Sequence, residues 1–288
     1  MLAWDDGINV VGNTHIQGFN ADRLRWMFTD TQTALRYKPL SWLTWALVYE
    51  GFGLNPAAFH VANFLLHCVN TLLVFQLLSW FLSAQTSISD RSKLLICGWA
   101  ALVWAIHPLR VEPVAWITGL PYGLSLMFSL ISILFYLRAQ SSEPESRRRR
   151  ESYWASVVAF LLSALSYPIT ITFPLVLVLL DFFVLRPREV SELKSKSSVS
   201  RIWFEKVPFA FISLLLIALT VVGRIHAQGV WSKPQSFDEF GLLARSMQAL
   251  YICAYYFWRF WAPTDLSPVY TTLVSFDPFD LPFVVQRL

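Results

Sequence analysis

Along this chain, long apolar runs alternate with compact polar islands. The first full run, 56–82, opens at Pro56 and contains no Asp, Glu, Lys or Arg. Further runs follow at 94–106, 122–137, 153–167, 169–185 and 207–222, with Tyr167-Pro168 as the turn of a helical hairpin. Several reach or approach the ~20 residues that carry an α-helix across a bilayer. The pattern predicts an all-α fold, a polytopic membrane helical bundle. A last apolar stretch, Leu242–Trp261, is interrupted by Arg245 and Arg259 and fits a span or a surface helix equally well.

Residues 1–55 read differently. They mix polar and aromatic residues and are broken by Gly7, Gly12, Gly18, Gly51 and Gly53. Within them, 20–28 has the form of an amphipathic helix, with Asn20 as N-cap and Leu24, Met27 and Phe28 as its buried stripe. Residues 40–49, with Trp42, Leu43, Trp45, Ala46 and Leu47, predict a second interfacial helix. The expected organisation is an external loop, 1–55, carrying short interfacial helices, then a single membrane domain, 56–288.

Inside the first run the polar residues are ordered. His60, Asn63, His67 and Asn70 fall at i, i+3, i+7 and i+10, which is one helical face. Such a face turns towards neighbouring helices or a cavity rather than lipid. Interhelical hydrogen bonding and the lining of a ligand cavity both satisfy it. A His60/His67 metal pair is disfavoured by the separation.

Composition narrows the class. The chain is 55% hydrophobic and only 15% charged, with mean hydropathy +0.48, against roughly 25% charged residues in a soluble domain. Thirteen Trp and 23 Phe suit interfacial aromatic belts and a packed bundle. The net charge of +4 does not signal a nucleic-acid partner, because 13 of the 23 Lys and Arg lie in three short segments, 83–93, 138–152 and 186–206. Such segments are cytoplasmic by the positive-inside rule. Residues 1–55, the island 107–116 and Tyr167-Pro168 then share the opposite, external face. Cys68, Cys97 and Cys253 lie at unrelated spacing in apolar runs and act as small hydrophobes. No signal peptide is visible, and a membrane helix upstream of the acidic pair Asp5-Asp6 is expected to translocate it.

The polar islands hold the candidate chemistry. Trp4-Asp5-Asp6-Gly7 places two carboxylates ahead of the first span, and 107–116 gathers His107, Arg110 and Glu112 between two others. Ionisable groups at a membrane are costly and so point to function.

The motifs resemble one family in order and spacing. They are Trp-Asp-Asp near the start, Tyr37-Lys38-Pro39-Leu40, and Phe52-Gly53-Leu54-Asn55-Pro56 followed by His60, Asn63, His67 and Asn70. His107-Pro108-Leu109-Arg110-Val111-Glu112-Pro113-Val114-Ala115-Trp116 and Thr172-Phe173-Pro174 with Asp181 complete the set. Together these resemble the polytopic glycosyltransferases of the GT-C fold. The likeness is greatest to the branch often fused to tetratricopeptide repeats and similar to transmembrane O-mannosyltransferases.

The resemblance implies a transferase that moves a sugar from a polyprenyl-phosphate carrier to a hydroxyl of a protein or glycan acceptor. It would act on the external, periplasmic side of the inner or plasma membrane. It assigns the chemistry to Asp5 and Asp6, with Glu112 as a further catalytic candidate. Arg36, Tyr37, Lys38, His107 and Arg110 become the substrate-binding set. Such a transfer needs a base for the acceptor proton and positive charge for the departing phosphate. A carboxylate serves as that base or as an oxygen ligand for a divalent cation such as Mg or Mn, and arginine suits phosphate.

The chain departs from the family in three ways. Thr118-Gly119-Leu120-Pro121-Tyr122 stands where a charged stretch is common, and Tyr167-Pro168 where Lys-Pro is common. Both changes remove basic groups from the expected grip on the carrier phosphate. The first helix and the repeats are also missing from the sequence. A transporter is the main rival, but it predicts charges or broken helices at the membrane midplane, and here the charges gather at helix ends. A non-catalytic membrane scaffold is the third reading.

Overall fold

A computed structural model describes residues 5–30, 37–83, 85–185, 203–226, 237, 241–264 and 266. The described residues form helices and their connections, as the hydrophobic pattern predicts. They fall into two compact units, Met1–Ala227 and Gln228–Leu288.

The first unit opens with Asp5 and Asp6 in helical geometry, leading into a π-helical turn, Gly7–Val11. Helix α1, Ala21–Thr29, is capped by Asn20, whose side chain accepts the Arg23 N–H at 2.7 Å. Only part of its expected stripe is buried. Met27 is fully enclosed, but Leu24 and Phe28 are exposed, and Trp26 packs instead, between His15 (4.2 Å) and Trp42 (4.7 Å). Gly18 sets the approach to this helix. Its φ of +111° favours glycine, and a Cβ there would also push the Arg23 guanidinium, 2.8 Å away, aside.

Helix α2, Pro39–Phe52, starts on a proline and ends at Gly53, whose φ of +59° turns the chain. Asn55 then caps α3, Pro56–Ser83, by accepting the Ala57 N–H at 3.0 Å. At 28 residues, α3 is about 42 Å long, more than the ~30 Å hydrocarbon core needs. Helix α4, Asp90–Ile106, is capped by Ser89 and stops at His107, which precedes a proline and takes extended geometry. After a 3₁₀ turn and the short α5, Val111–Ala115, the chain enters α6, Leu120–Gln140.

Helix α7, Arg147–Ser166, begins inside the four-arginine run, so those arginines form a first helical turn rather than a loop. Four cations at a helix N-terminus oppose its dipole. Ser146 caps the turn, Arg147 pairs with Glu151 at 2.6 Å, and Arg149 reaches Glu205 at 3.0 Å. Helices α6 and α7 are joined by a serine ladder. Ser163 donates to Ser125 O, Ser156 to Ser132 O and Ser132 to Ser156 O, each at 2.8 Å. Small side chains let backbones approach, and their hydroxyls bond across the gap.

The next apolar run is subdivided into a 3₁₀ segment, Pro168–Thr172, helix α8, Phe173–Leu180, and a π-helical turn, Asp181–Leu185. Helix α9, Val207–His226, packs Phe209 against Phe160, Phe173 and Tyr136. In the second unit, α10 is Leu242–Trp261, with Arg259 donating to Thr264.

Among the described residues, three helical stretches are long and apolar enough to cross a membrane: Pro56–Ser83, Ile117–Gln140 and Pro168–Leu185. A fourth, bent by 60°, joins Asp90–Ile106 to Pro108–Ala115. Their outward residues are large and apolar, among them Phe64, Leu65, Leu72, Trp99 and Val103. On a soluble protein such a surface would be an interaction patch. On these helices it is the lipid face of an integral membrane protein.

Candidate functional site

The two adjacent acids part company. Asp5 is exposed, and its carbonyl accepts the Asn9 amide at 3.0 Å. Asp6 is only 1% exposed, and its Oδ1 accepts the backbone N–H of Thr118 at 3.3 Å, across 112 positions of sequence. The segment 118–122 therefore meets the acidic loop through its backbone.

Lys38 is buried on the same shelf. Its Nζ donates to Asn9 Oδ1 at 3.1 Å and lies 4.9 Å from the Trp45 ring centre. Burying an ammonium requires such partners. Around it Val10, Trp42, Trp45, Ile117 and Leu120 form one apolar core, which fixes the loop against α2 and the start of α6. Ser41 ties α2 to the far end of α7 by donating to Ser166 O at 2.7 Å. Tyr37 donates to Phe28 O at 3.0 Å, and burial pushes its phenol above the ordinary value. Arg36 lies outside the described residues.

The second island sits beside this shelf. His107 Nδ1 accepts the Leu109 N–H at 3.2 Å and so caps the 3₁₀ turn that presents Arg110. The Arg110 guanidinium lies 4.8 Å from the Trp104 ring centre, and its buried Nε has no protein hydrogen-bond partner. Glu112 is exposed.

Behind Arg110 lies a cavity of about 250 Å³, whose lining includes Asn63, His67, Asn70, Trp104, Arg110 and Tyr122. The polar stripe of α3 largely faces inward, as its spacing predicts. Asn63 donates to Trp116 O at 2.6 Å and Asn70 to Gly123 O at 2.9 Å. His67 Nε2 meets Ala105 O at 3.0 Å, so that nitrogen carries the proton. His60, in the first turn of α3, is instead exposed. Tyr122, at the end of the segment 118–122, and Tyr167, which stands where Lys is common in the resembled family, meet with ring centres 4.7 Å apart, tilted by 54°, and their hydroxyls 3.4 Å apart.

Shelf and cavity share one piece of backbone. Trp116 O accepts from Asn63, and Thr118 N donates to Asp6. The structure thus brings Asp6, Lys38, Arg110 and the inner stripe to one end of the bundle. Sequence reasoning missed the Thr118 N–H, Asn9 and Trp104. The first is a backbone group with no side-chain signature, and the others are ordinary residues whose roles depend on what packs over them. Among the described residues, no three or more His, Cys, Asp or Glu gather to hold a metal ion.

A polar shelf and cavity at one end of apolar helices define an all-α integral membrane protein with a site at the bundle's end. Comparison with known proteins makes this more particular. The chain is 29% identical to the mouse protein O-mannosyl-transferase TMTC2 over 265 residues, 88% of its length, and 29% identical to the human one over 270 residues. The Drosophila melanogaster protein O-mannosyl-transferase Tmtc1 is 28% identical over 79% of the chain. The chain spans 30% of the length of the mouse and human relatives. No protein-family model and no solved structure matches. The resemblance drawn from the motifs is borne out: this is a chain similar to the transmembrane O-mannosyltransferases along most of its length.

Proposed function

We propose that the chain is a membrane glycosyltransferase that moves a sugar, mannose by analogy with its relatives' names, from a polyprenyl-phosphate carrier to a hydroxyl of a protein. The observation that carries the reading is Asp6, buried at a bundle end and bonded to the Thr118 N–H, with Lys38 and Arg110 on the neighbouring elements. In the transfer, the bond from the anomeric carbon to the phosphate oxygen breaks and a bond to the acceptor oxygen forms. The acceptor proton passes to the Asp6 carboxylate, and the carrier phosphate departs as an anion beside Arg110 and Lys38. Asp5, exposed one residue away, is the second candidate for the base, and Glu112, exposed two residues after Arg110, is the third.

The site faces the external side. Arg149, Gln140 and Glu205 are bonded together at the other end of the bundle, which also carries the basic run, and positive residues favour the cytoplasm.

The test is transfer from a polyprenyl-phosphate sugar to a peptide rich in serine and threonine. Asp6→Asn is expected to lose on the order of 10²–10⁴ in rate, the usual contribution of a general base, while keeping the parent's melting temperature. If Asp5→Asn and Asp6→Asn both stay folded and transfer at the parent rate, the acidic pair is not the base.

A further inference from the structure

The amides of Asn63 and Asn70 each have one half accounted for. Their Nδ2 groups face the carbonyls of Trp116 and Gly123. A carbonyl can only accept, so neither amide can be flipped without setting oxygen against oxygen. The halves left over are therefore Oδ1 atoms, that is, acceptors. Both are buried, in residues 3% and 2% exposed, and neither has a protein hydrogen-bond partner. Both residues line the 250 Å³ cavity, as does Arg110, whose Nε is likewise buried without a partner.

These groups specify their complement. An acyl chain would leave all three unmet, and buried polar groups are rarely left so. A phosphodiester suits Arg110 but offers no donor to two amide oxygens. A group with hydroxyls serves both, because a hydroxyl donates and accepts. Asn63 and Asn70 stand two turns apart on α3, about 10 Å along its axis. The cavity holds the volume of about eight waters at ~30 Å³ each, smaller than the usual range for drug-sized ligands and suited to one sugar ring.

We infer that this cavity is a specificity pocket for a glycosyl group, whose hydroxyls donate to Asn63 Oδ1 and Asn70 Oδ1 while the Arg110 Nε–H donates to one of its oxygens. Gly123 helps to shape it. A Cβ there would come within 3.0 Å of Leu66 Cδ2 and 3.8 Å of Asn70 Nδ2, which glycine avoids by letting α6 close on α3. The inference rests on the glycosyltransferase reading for its link to catalysis, but its binding chemistry stands on the amides alone.

The experiment is calorimetric titration of the full chain, purified in a sugar-free detergent, with n-octyl α-mannoside, n-octyl β-glucoside, octanol and dimethyl phosphate, a phosphodiester probe. At least one hexoside is expected to bind when octanol and dimethyl phosphate do not. Asn63→Leu and Asn70→Leu should each weaken it about tenfold, the scale of one lost buried hydrogen bond. Leu126→Phe leaves both amide bonds intact but narrows the cavity, and should weaken binding comparably, which covers the case of an asparagine variant that fails to fold. Binding of octanol as tight as the hexosides, binding of none of the hexosides, or unchanged hexoside affinity in Leu126→Phe or in a folded asparagine variant would overturn the inference. Asp6→Asn separates the two readings. It is expected to lose transfer and keep hexoside binding, so transfer without hexoside binding sinks the pocket alone, and hexoside binding by a parent chain that cannot transfer sinks the transferase alone.

Discussion

Asp181 offers the sharpest test of how this bundle is held together. It is fully buried at the start of a π-helical turn, where its carboxylate accepts from Tyr136 Oη at 2.8 and 3.0 Å and from Lys206 Nζ at 2.5 Å. Lys206 is 4% exposed, also donates to Tyr136 Oη, and has its ammonium 4.6 Å from that ring's centre. One carboxylate thus joins α6, the end of α8 and the start of α9. Removing one partner of a buried pair strands the other charge and typically costs 3–5 kcal/mol. Asp181→Ala should show that cost in full, because neither partner is near enough to water to recover solvation. For a unit of 227 residues, at ~2–4 °C per kcal/mol, the melting temperature should fall by roughly 6–20 °C.

Replacing both members tells a different story. Asp181→Leu with Lys206→Met removes the stranded charge as well as the pair, and such replacements are often neutral or stabilising. The double variant should therefore melt well above Asp181→Ala. The assay is a thermal melt in detergent, with transfer or ligand binding as a fold check. A loss below about 1 kcal/mol in Asp181→Ala, or a double variant no better than the single one, would refute the claim that a desolvated charge is what the triad neutralises.

Four further outcomes follow from particular contacts. Gly119→Ala should destabilise by about 1–3 kcal/mol and slow transfer, since its Cβ would lie 2.7–2.9 Å from Pro113 backbone atoms, which cannot swing aside; a parent-like melt would contradict it. Asn63→Leu should lower stability by roughly 1 kcal/mol, the scale of a hydrogen bond in a membrane, read as a shift in the same melt. A cysteine replacing exposed Ile8 should react with an impermeant maleimide added outside intact cells, and one replacing exposed Arg148 should not; the reverse pattern would invert the proposed orientation. Because burial holds the neutral Tyr37 phenol above its ordinary value of 10.0, its contribution is intact below that pH and is lost as pH rises through the raised value, so Tyr37→Phe should flatten the alkaline limb of a stability profile.

Much of the bundle was written in periodicity, and its failures have local causes. The spacing of Asn63, His67 and Asn70 put them on one face, and each now bonds a carbonyl of another element. His60 shares that spacing but sits in the first turn of α3, where its side chain is exposed. Charge alone marks the basic segments only as connections between apolar runs. Ser146, three residues before Arg149, was the overlooked sign of a helix start. Lys206 closes the basic segment 186–206, yet it is buried against Asp181, 25 positions earlier. The different fates of Asp5 and Asp6 were not legible at all. They depend on a backbone N–H more than a hundred residues away, and no side-chain pattern announces it.

That dependence makes the turn at 116–119 tolerant of changes in its side chains. Between Trp116 and Gly119 the chain gives one carbonyl to Asn63 and one N–H to Asp6, and both are backbone groups indifferent to side-chain identity. What the segment does require is a path that brings them to opposite partners. Gly119 supplies it by letting the turn close against Pro113, where any side chain would strike backbone. In the proposed reading, uncharged side chains here give no direct grip on a phosphate, while the backbone still links Asp6 on the shelf to Asn63 in the cavity. A change in the backbone of this turn would instead disturb both at once.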